Sequence, residues 1–355
     1  MAEKKRIVVV GGGVAGTCVA KSFDTDSYKL TFIDPKDFFE VPYARLRCIV
    51  EPKFAQRSIM KHSEYLKKGT FLQTSATGVS GQELITASGE RVAFDFLVIG
   101  TGTTFEGPTT KEEMLKFYQA ENAKLQAAET VLIIGGGPVG VELAGEVATD
   151  FPNKKVTLVH GGERLLEFLG PKASTKALKW LQSKKVTVVL NDRIDTEGLA
   201  GPHYVTKKGI AIQADAHFVC VGKRVGSSWL RGSDLENVLD KEGRLMVDRN
   251  MRVQGYSYVF ALGDVCDTKE IKQGYLATKQ AAVVIENMKK HIKDPYTAKL
   301  TEYKPATTPF AIVSLGRNLG LMQMPLGTLV GRLPGMLKSK DLFVGSSRKA
   351  LGLSG

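Results

Sequence analysis

The stretch RIVVVGGGVAG, Arg6 to Gly16, decides the fold. Its run Ile7-Val8-Val9-Val10 is β-branched and wholly apolar, the composition of a parallel strand buried on both faces. Gly11, Gly12 and Gly13 break that run, and Val14-Ala15-Gly16-Thr17 opens a helix of small residues. Gly11, Gly13 and Gly16 carry the G-x-G-x-x-G spacing. The first permits a tight turn, the second lets backbone approach a pyrophosphate, and the third lets helix pack on strand. The helix N-terminus adds free N–H groups and the positive end of its dipole. A second strand, Leu30-Thr31-Phe32-Ile33, ends at Asp34, where a carboxylate can accept ribose hydroxyls. Strand, helix and terminal acid together predict nucleotide binding.

The same pattern returns further along. Val131-Leu132-Ile133-Ile134 reads as a second buried strand, Gly135, Gly137 and Gly140 repeat the spacing, and Val141 to Ala148 continues as helix. The following strand, Val156 to Val159, ends in His160 where the first copy ends in Asp34. Two such units predict two nucleotide sites, because each crossover unit cradles one pyrophosphate. Between them, Lys68 to Val98 reads as short strands closing in FLVIGTG (96–102), and a helix is predicted over Lys111 to Ala128. Beyond them come a helix around Ser174 to Ser183, a strand Val186 to Leu190 and a hairpin Tyr204 to Gln213. The runs DAHFVCVG (215–222) and YVFALGD (258–264) are buried strands, and a helix of Tyr275 to Lys290 follows. The last ~55 residues alternate apolar runs with glycine turns and finish in a basic stretch, Lys338 to Lys349.

Composition narrows the class. With 43% hydrophobic and 24% charged residues the chain has ample core, and no run approaches the ~18 apolar residues of a membrane span. Because MAEKKR leads directly into the first strand, no signal peptide is expected, and with Ala2 at the second position no N-myristoylation is expected. Cys18, Cys48, Cys220 and Cys266 are scattered and the five histidines form no cluster, so neither a disulfide frame nor a metal site is expected. The net charge of +12 reads as a diffuse basic surface or one facing an anionic membrane. No basic motif with interleaved aromatics supports a specific nucleic-acid partner.

The ordered landmarks from Arg6 to Lys290 resemble the flavoproteins with two dinucleotide-binding domains, one for FAD and an inserted one for NAD(P)H. Within them GGGPVGVELAGEV (135–147), VTLVH (156–160) and KSKDLF (338–343) resemble the apoptosis-inducing-factor-like mitochondrion-associated flavoproteins, or ferroptosis-suppressor proteins. The resemblance implies an α/β fold with two Rossmann-like domains, the second inserted in the first, and a small C-terminal α+β region. The boundaries expected are 1–107 and 245–300 for the FAD-binding domain, 108–244 for the NAD(P)H-binding domain, and 301–355 for an interface or membrane-docking region. It implies an enzyme passing hydride from NADH or NADPH to FAD and electrons on to a ubiquinone-like quinone. The alternatives are a reductase of a protein carrier or oxygen, and a binding protein switched by its cofactor. The implied location is cytoplasmic or peripheral on an intracellular membrane, and the implied partners include a second copy in a homodimer.

By the same resemblance Gly11, Gly13, Gly16, Asp34 and Gly102 would serve FAD, and Gly135, Gly137, Gly140 and His160 the nicotinamide nucleotide. Asp264 would hold the ribityl chain, or else cap a helix. Glu142 would lie near the flavin–nicotinamide contact, or else be a surface or capping carboxylate of the first helical turn. Lys338 and Phe343 would lie on the acceptor side of the flavin. His160 neither attracts a 2′-hydroxyl nor repels a 2′-phosphate as an acid would, and Arg164 is expected within reach of such a phosphate. Cys48 lies between a redox role, favoured by Arg45 and Arg47, and simple packing. The tail's leucines and methionines divide between two expectations, docking on a bilayer or forming an ordinary core.

Overall fold

The computed structural model describes residues 3–222 and 224–355. Strand Arg6–Val10 lies at the centre of a five-stranded parallel sheet, between Phe96–Ile99 and Lys29–Asp34, with Val259–Ala261 and Thr70–Gln73 at the edges. Ile7 to Val10 are at most 3% exposed, as the apolar run requires of a strand covered on both faces. Helix Val14–Phe23 follows it and packs against helix Gly274–Lys293.

The second copy builds a four-stranded parallel sheet in the order Thr187–Val189, Lys155–Val159, Thr130–Ile134, Ala216–Val219. The later strand Val259–Ala261 then returns to pair with Phe96–Ile99, so the second Rossmann-like unit is inserted within the first. The helix expected over 111–128 is Lys111–Ala127, opened by the Thr110 hydroxyl accepting from the Glu113 N–H. The aromatic stretch after Asp34 holds an unforeseen strand pair, Phe38–Glu40 with Ile59–Lys61, and a short helix Arg45–Val50.

The tail is an antiparallel sheet, Ala311–Leu315, Leu319–Met324 and Gly327–Gly331, followed by helices Arg332–Leu337 and Val344–Ala350. Its apolar residues divide. Val313, Leu315 and Leu321 are buried against Val141 and Ala144 of helix Pro138–Asp150, and Val344 and Leu351 enter the core of the first unit. Met322 is also buried, and Leu319, Met324 and Phe343 are half-buried. Leu326, Leu329, Leu333, Met336 and Leu337 face solvent.

One face of helix Pro138–Asp150 fastens these parts together. Glu142, Glu146 and Asp150 stand four residues apart and therefore share that face. Glu146 receives the Arg47 guanidinium through two 2.7 Å bonds, and Arg47 also donates to the Ser339 carbonyl at 3.0 Å. Arg317, on the turn between two tail strands, pairs with Asp150 and Glu51. Arg47 and Glu146 are only 3% and 2% exposed, so neither charge has water to fall back on. Arg47→Met is expected to cost about 3–5 kcal/mol by stranding Glu146. Thermal unfolding should show most of that loss recovered when Glu146→Leu is added.

Candidate active site

The two glycine loops bond alike. The Gly12 N–H donates to Asp34 Oδ2, and the Gly136 N–H donates to His160 Nδ1 at 3.1 Å. His160 therefore stands where Asp34 stands in the first unit. The glycines are of two kinds. A Cβ on Gly11 would fall 2.5 Å from the Gly100 carbonyl oxygen, and one on Gly135 2.5 Å from that of Cys220. A Cβ on Gly16 or Gly140 would collide with the carbonyl of the loop's own first glycine. These four hold the turn and the helix against the sheet. Around Gly13 and Gly137 a Cβ would meet nothing within 4 Å. Both immediately precede a helix in extended backbone, so each open space lies before a helix N-terminus and fits a pyrophosphate.

Other polar groups around the first loop fit a flavin nucleotide. Asp34 also accepts from the backbone N–H and ammonium of Lys36, at 2.7 and 2.8 Å. Gly102 has φ +58 with open space where a Cβ would point, and the neighbouring Thr101 hydroxyl is buried without a partner. Asp264 lies in the turn Gly263–Val265. Burial pushes its pKa up, against the pull of Lys272 and Arg244. The following helix has Gln273 at its N-cap position, nine residues on, so Asp264 does not occupy the cap position of that helix.

Glu142 and Lys338, far apart in sequence, form a buried ion pair at 2.5 Å. Glu142 Oε1 also accepts from the Ser314 N–H at 2.7 Å, and Lys338 donates to the Ile312 carbonyl at 2.9 Å. The helix starts at Pro138, so Glu142 is its fifth residue, and it is buried. The surface and capping alternatives are thereby corrected. Tyr43 binds the group together and was missing from the sequence-derived set. The Lys338 ammonium lies 5.5 Å from its ring centroid, and Phe343 meets it edge-on at 5.3 Å. The Tyr275 N–H faces its oxygen at the start of helix Gly274–Lys293. Burial raises the Tyr43 pKa, and the charges of Glu142 and Asp264 add to the rise. In sequence Tyr43 sits in an aperiodic loop, and only its aromatic character could have marked it. Phe343 and its neighbour Leu342 both hold left-handed backbone, φ +59 and +51, which directs this corner of the chain.

A cavity of about 510 Å³ reaches this group only through Tyr275, which lines it while its N–H faces the Tyr43 oxygen. Phe168 of the second unit lines it, with Tyr275 and Lys279 of the flavin-side helix and Phe310 of the tail. Tyr275 and Phe310 stand 6.3 Å apart, 49% and 44% exposed, and so offer aromatic faces to a planar ring.

One expectation needs correction, and one open reading closes. The Arg164 guanidinium is spent on its own loop, donating to the carbonyls of Leu169 and Glu167 and to the Ser174 hydroxyl. Cys48 is fully buried against Ser58, and burial pushes its thiol up to about 12 despite Arg45 and Arg47. It is a packing residue, and all four cysteines are free.

Residues 5–282 match the pyridine nucleotide-disulphide oxidoreductase family. The chain belongs to that family. Apoptosis-inducing factor homolog B of Dictyostelium discoideum is 31% identical, over 96% of this chain and 95% of its own length. Ferroptosis suppressor protein 1 of Homo sapiens is also 31% identical, over 97% and 95%. Among solved structures, NDH2 from Plasmodium falciparum in complex with NADH shares the fold, with TM-score 0.76 and 15% identity, covering 94% of this chain and 93% of that one. The sulfide:quinone oxidoreductase of Aquifex aeolicus does so with TM-score 0.77 and 16% identity, covering 98% and 92%. The chain is an FAD-dependent NAD(P)H oxidoreductase.

The open space at the two middle glycines generates a clear expectation. Gly13→Val should leave the fold intact and abolish flavin retention, read from the absorbance of the purified protein. Gly137→Val should keep the flavin yet prevent its bleaching by NADH. Loss of flavin from both variants while folded would contradict the division into two sites.

Proposed function

We propose that this chain carries electrons from NAD(P)H to a quinone and works while docked on a membrane surface. The observation that carries the reading is the junction of Tyr43, Lys338, Glu142 and Phe343, linked through Tyr275 to a cavity that Phe168 and Phe310 help to line. FAD held there would supply the redox chemistry between the nicotinamide and the acceptor. The protein's share is positioning and charge. The helix starts at Gly13 and Gly137 would hold the two pyrophosphates, Asp34 and Asp264 would accept hydroxyls of the flavin nucleotide, and Glu142 would serve the nicotinamide side. The four cysteines form no disulfide and burial raises the Cys48 thiol, so the reading routes electrons from the flavin to the acceptor without a thiol. Reducing a quinone to a quinol takes two protons as well as two electrons. Lys338 Nζ, fixed between Glu142 and the Ile312 carbonyl, holds a proton on the acceptor side. Phe168, Tyr275 and Phe310 suit a flat quinone ring entering from outside.

Access to a membrane-dissolved quinone comes from the tail. No helix among the described residues is long and apolar enough to cross a membrane. Helix Arg332–Leu337 instead exposes Leu333, Met336 and Leu337 at 59%, 70% and 51%, and the adjacent hairpin tip exposes Leu326 fully. Arg332 and Lys340 flank this patch in sequence, and each basic residue near an anionic surface contributes about 1 kcal/mol. Apolar residues entering the headgroup boundary, framed by cations, are the means by which a protein lies on a bilayer.

Purified holoprotein should oxidise NADH with a short-chain ubiquinone analogue at least about tenfold faster than with oxygen alone or a ferredoxin-type carrier, about 1.4 kcal/mol in barrier. A faster carrier-protein rate would overturn the acceptor assignment. The triple variant Leu333→Ser, Met336→Ser, Leu337→Ser should retain turnover of the soluble analogue. It should lose sedimentation with anionic liposomes and turnover of long-chain quinone. Undiminished liposome binding would rule out this docking surface.

A further inference from the structure

The end of strand Lys155–Val159 is where a Rossmann unit reads the adenosine ribose, with an acid for a free 2′-hydroxyl or an arginine for a 2′-phosphate. His160 stands there and cannot make the choice. Its Nδ1 accepts the Gly136 N–H, which fixes the neutral tautomer with the proton on Nε2. That Nε2 is buried with no hydrogen-bond partner, 3.7 Å from Glu167 Oε2. An N–H donor serves a hydroxyl oxygen and a phosphate oxygen equally well.

The choice passes to two side chains lying on the next two residues. A Cβ on Gly161 would collide with the Arg193 guanidinium, and one on Gly162 with the Glu167 carboxylate. A cation and an anion therefore flank the same short backbone segment, immediately after His160. Arg193 is exposed, and its guanidinium forms no ion pair among the described residues. Its acidic neighbour, Asp192, is buried and bonds through Oδ1 to the backbone N–H groups of Arg193 and Lys208. Glu167 is half-exposed, and among the described residues His160 is its only cation-capable ion-pair partner. Arg164 is withdrawn from the contest by its three bonds within the loop.

We propose that Arg193 and Glu167 set the nucleotide preference of this enzyme, Arg193 binding a 2′-phosphate and Glu167 a free 2′-hydroxyl. The inference rests on the second glycine loop holding the nicotinamide nucleotide. NADH and NADPH then both enter, because neither flanking residue is locked in place and each serves one of them. A guanidinium meets a phosphate through charge-assisted, bidentate bonds, whereas the carboxylate repels it.

The test uses holoprotein, calorimetry, and two probes without nicotinamide, ADP-ribose and its 2′-phosphate. No acceptor is present, so failure of the quinone assignment cannot disturb the result. Arg193→Gln should weaken the 2′-phosphorylated probe by about tenfold or more, as loss of a charge-assisted contact implies. ADP-ribose should change by less than about twofold, and Arg193→Lys should recover part of the loss, since a lysine keeps the charge but not the fork. Glu167→Gln should shift preference the other way, tightening the phosphorylated probe and weakening ADP-ribose. Equal effects of Arg193→Gln on both probes, or none on either, would overturn the proposal. So would failure of the unaltered protein to bind either probe, which would instead point to the loop assignment. With folding confirmed by retained flavin absorbance, each result decides.

Discussion

The structure depends on a row of three carboxylates along helix Pro138–Asp150. Each faces a cation from a different part of the chain: Glu142 meets Lys338 of the tail, Glu146 meets Arg47 of the flavin-side unit, and Asp150 meets Arg317 of the tail sheet. Burying these charges carries a desolvation cost, and burial pushes Glu146 upward even with Arg47 and Arg317 beside it. Pairing offsets that cost only when all partners arrive together. The row thus specifies one arrangement of the two nucleotide units and the tail, beyond any net stability it adds. The helix that carries it also begins at the open space before Pro138, so one rigid element joins the second glycine loop to Lys338 and the tail sheet.

Legibility in the sequence followed the range of the interactions. The parallel strands at Arg6–Val10 and Thr130–Ile134 were readable because a strand buried on both faces needs an unbroken apolar run. The glycine loops were readable because close backbone approach excludes every side chain. Spacing alone could not separate Gly13 and Gly137, which face open space, from Gly11, Gly16, Gly135 and Gly140, which face carbonyls. That distinction belongs to the three-dimensional turn. Arg164 was misread for a similar reason, since proximity in sequence to His160 says nothing of where a long side chain finds its acceptors.

The tail shows the same limit. Leu321 and Leu333 are chemically alike and lie twelve positions apart, yet one is buried and the other is 59% exposed. Leu321 lies in the tail sheet, which packs on helix Pro138–Asp150, while Leu333 lies on a short helix and faces solvent, and that difference is not visible in composition. Tyr43 was hidden because its neighbours come from residues 142, 275, 338 and 343, contacts that local periodicity cannot encode.

The paired left-handed residues Leu342 and Phe343 have a consequence for how this corner could change over time. Each non-glycine residue held there costs about 1–2 kcal/mol of backbone strain. Selection for robustness alone would drift position 343 towards glycine or asparagine, which tolerate that conformation. Such a drift would remove the ring that meets Tyr43 edge-on. Sturdiness and the shape of the site therefore pull against each other at this residue, and a thermally hardened descendant of the protein would be the place to look for a weakened one.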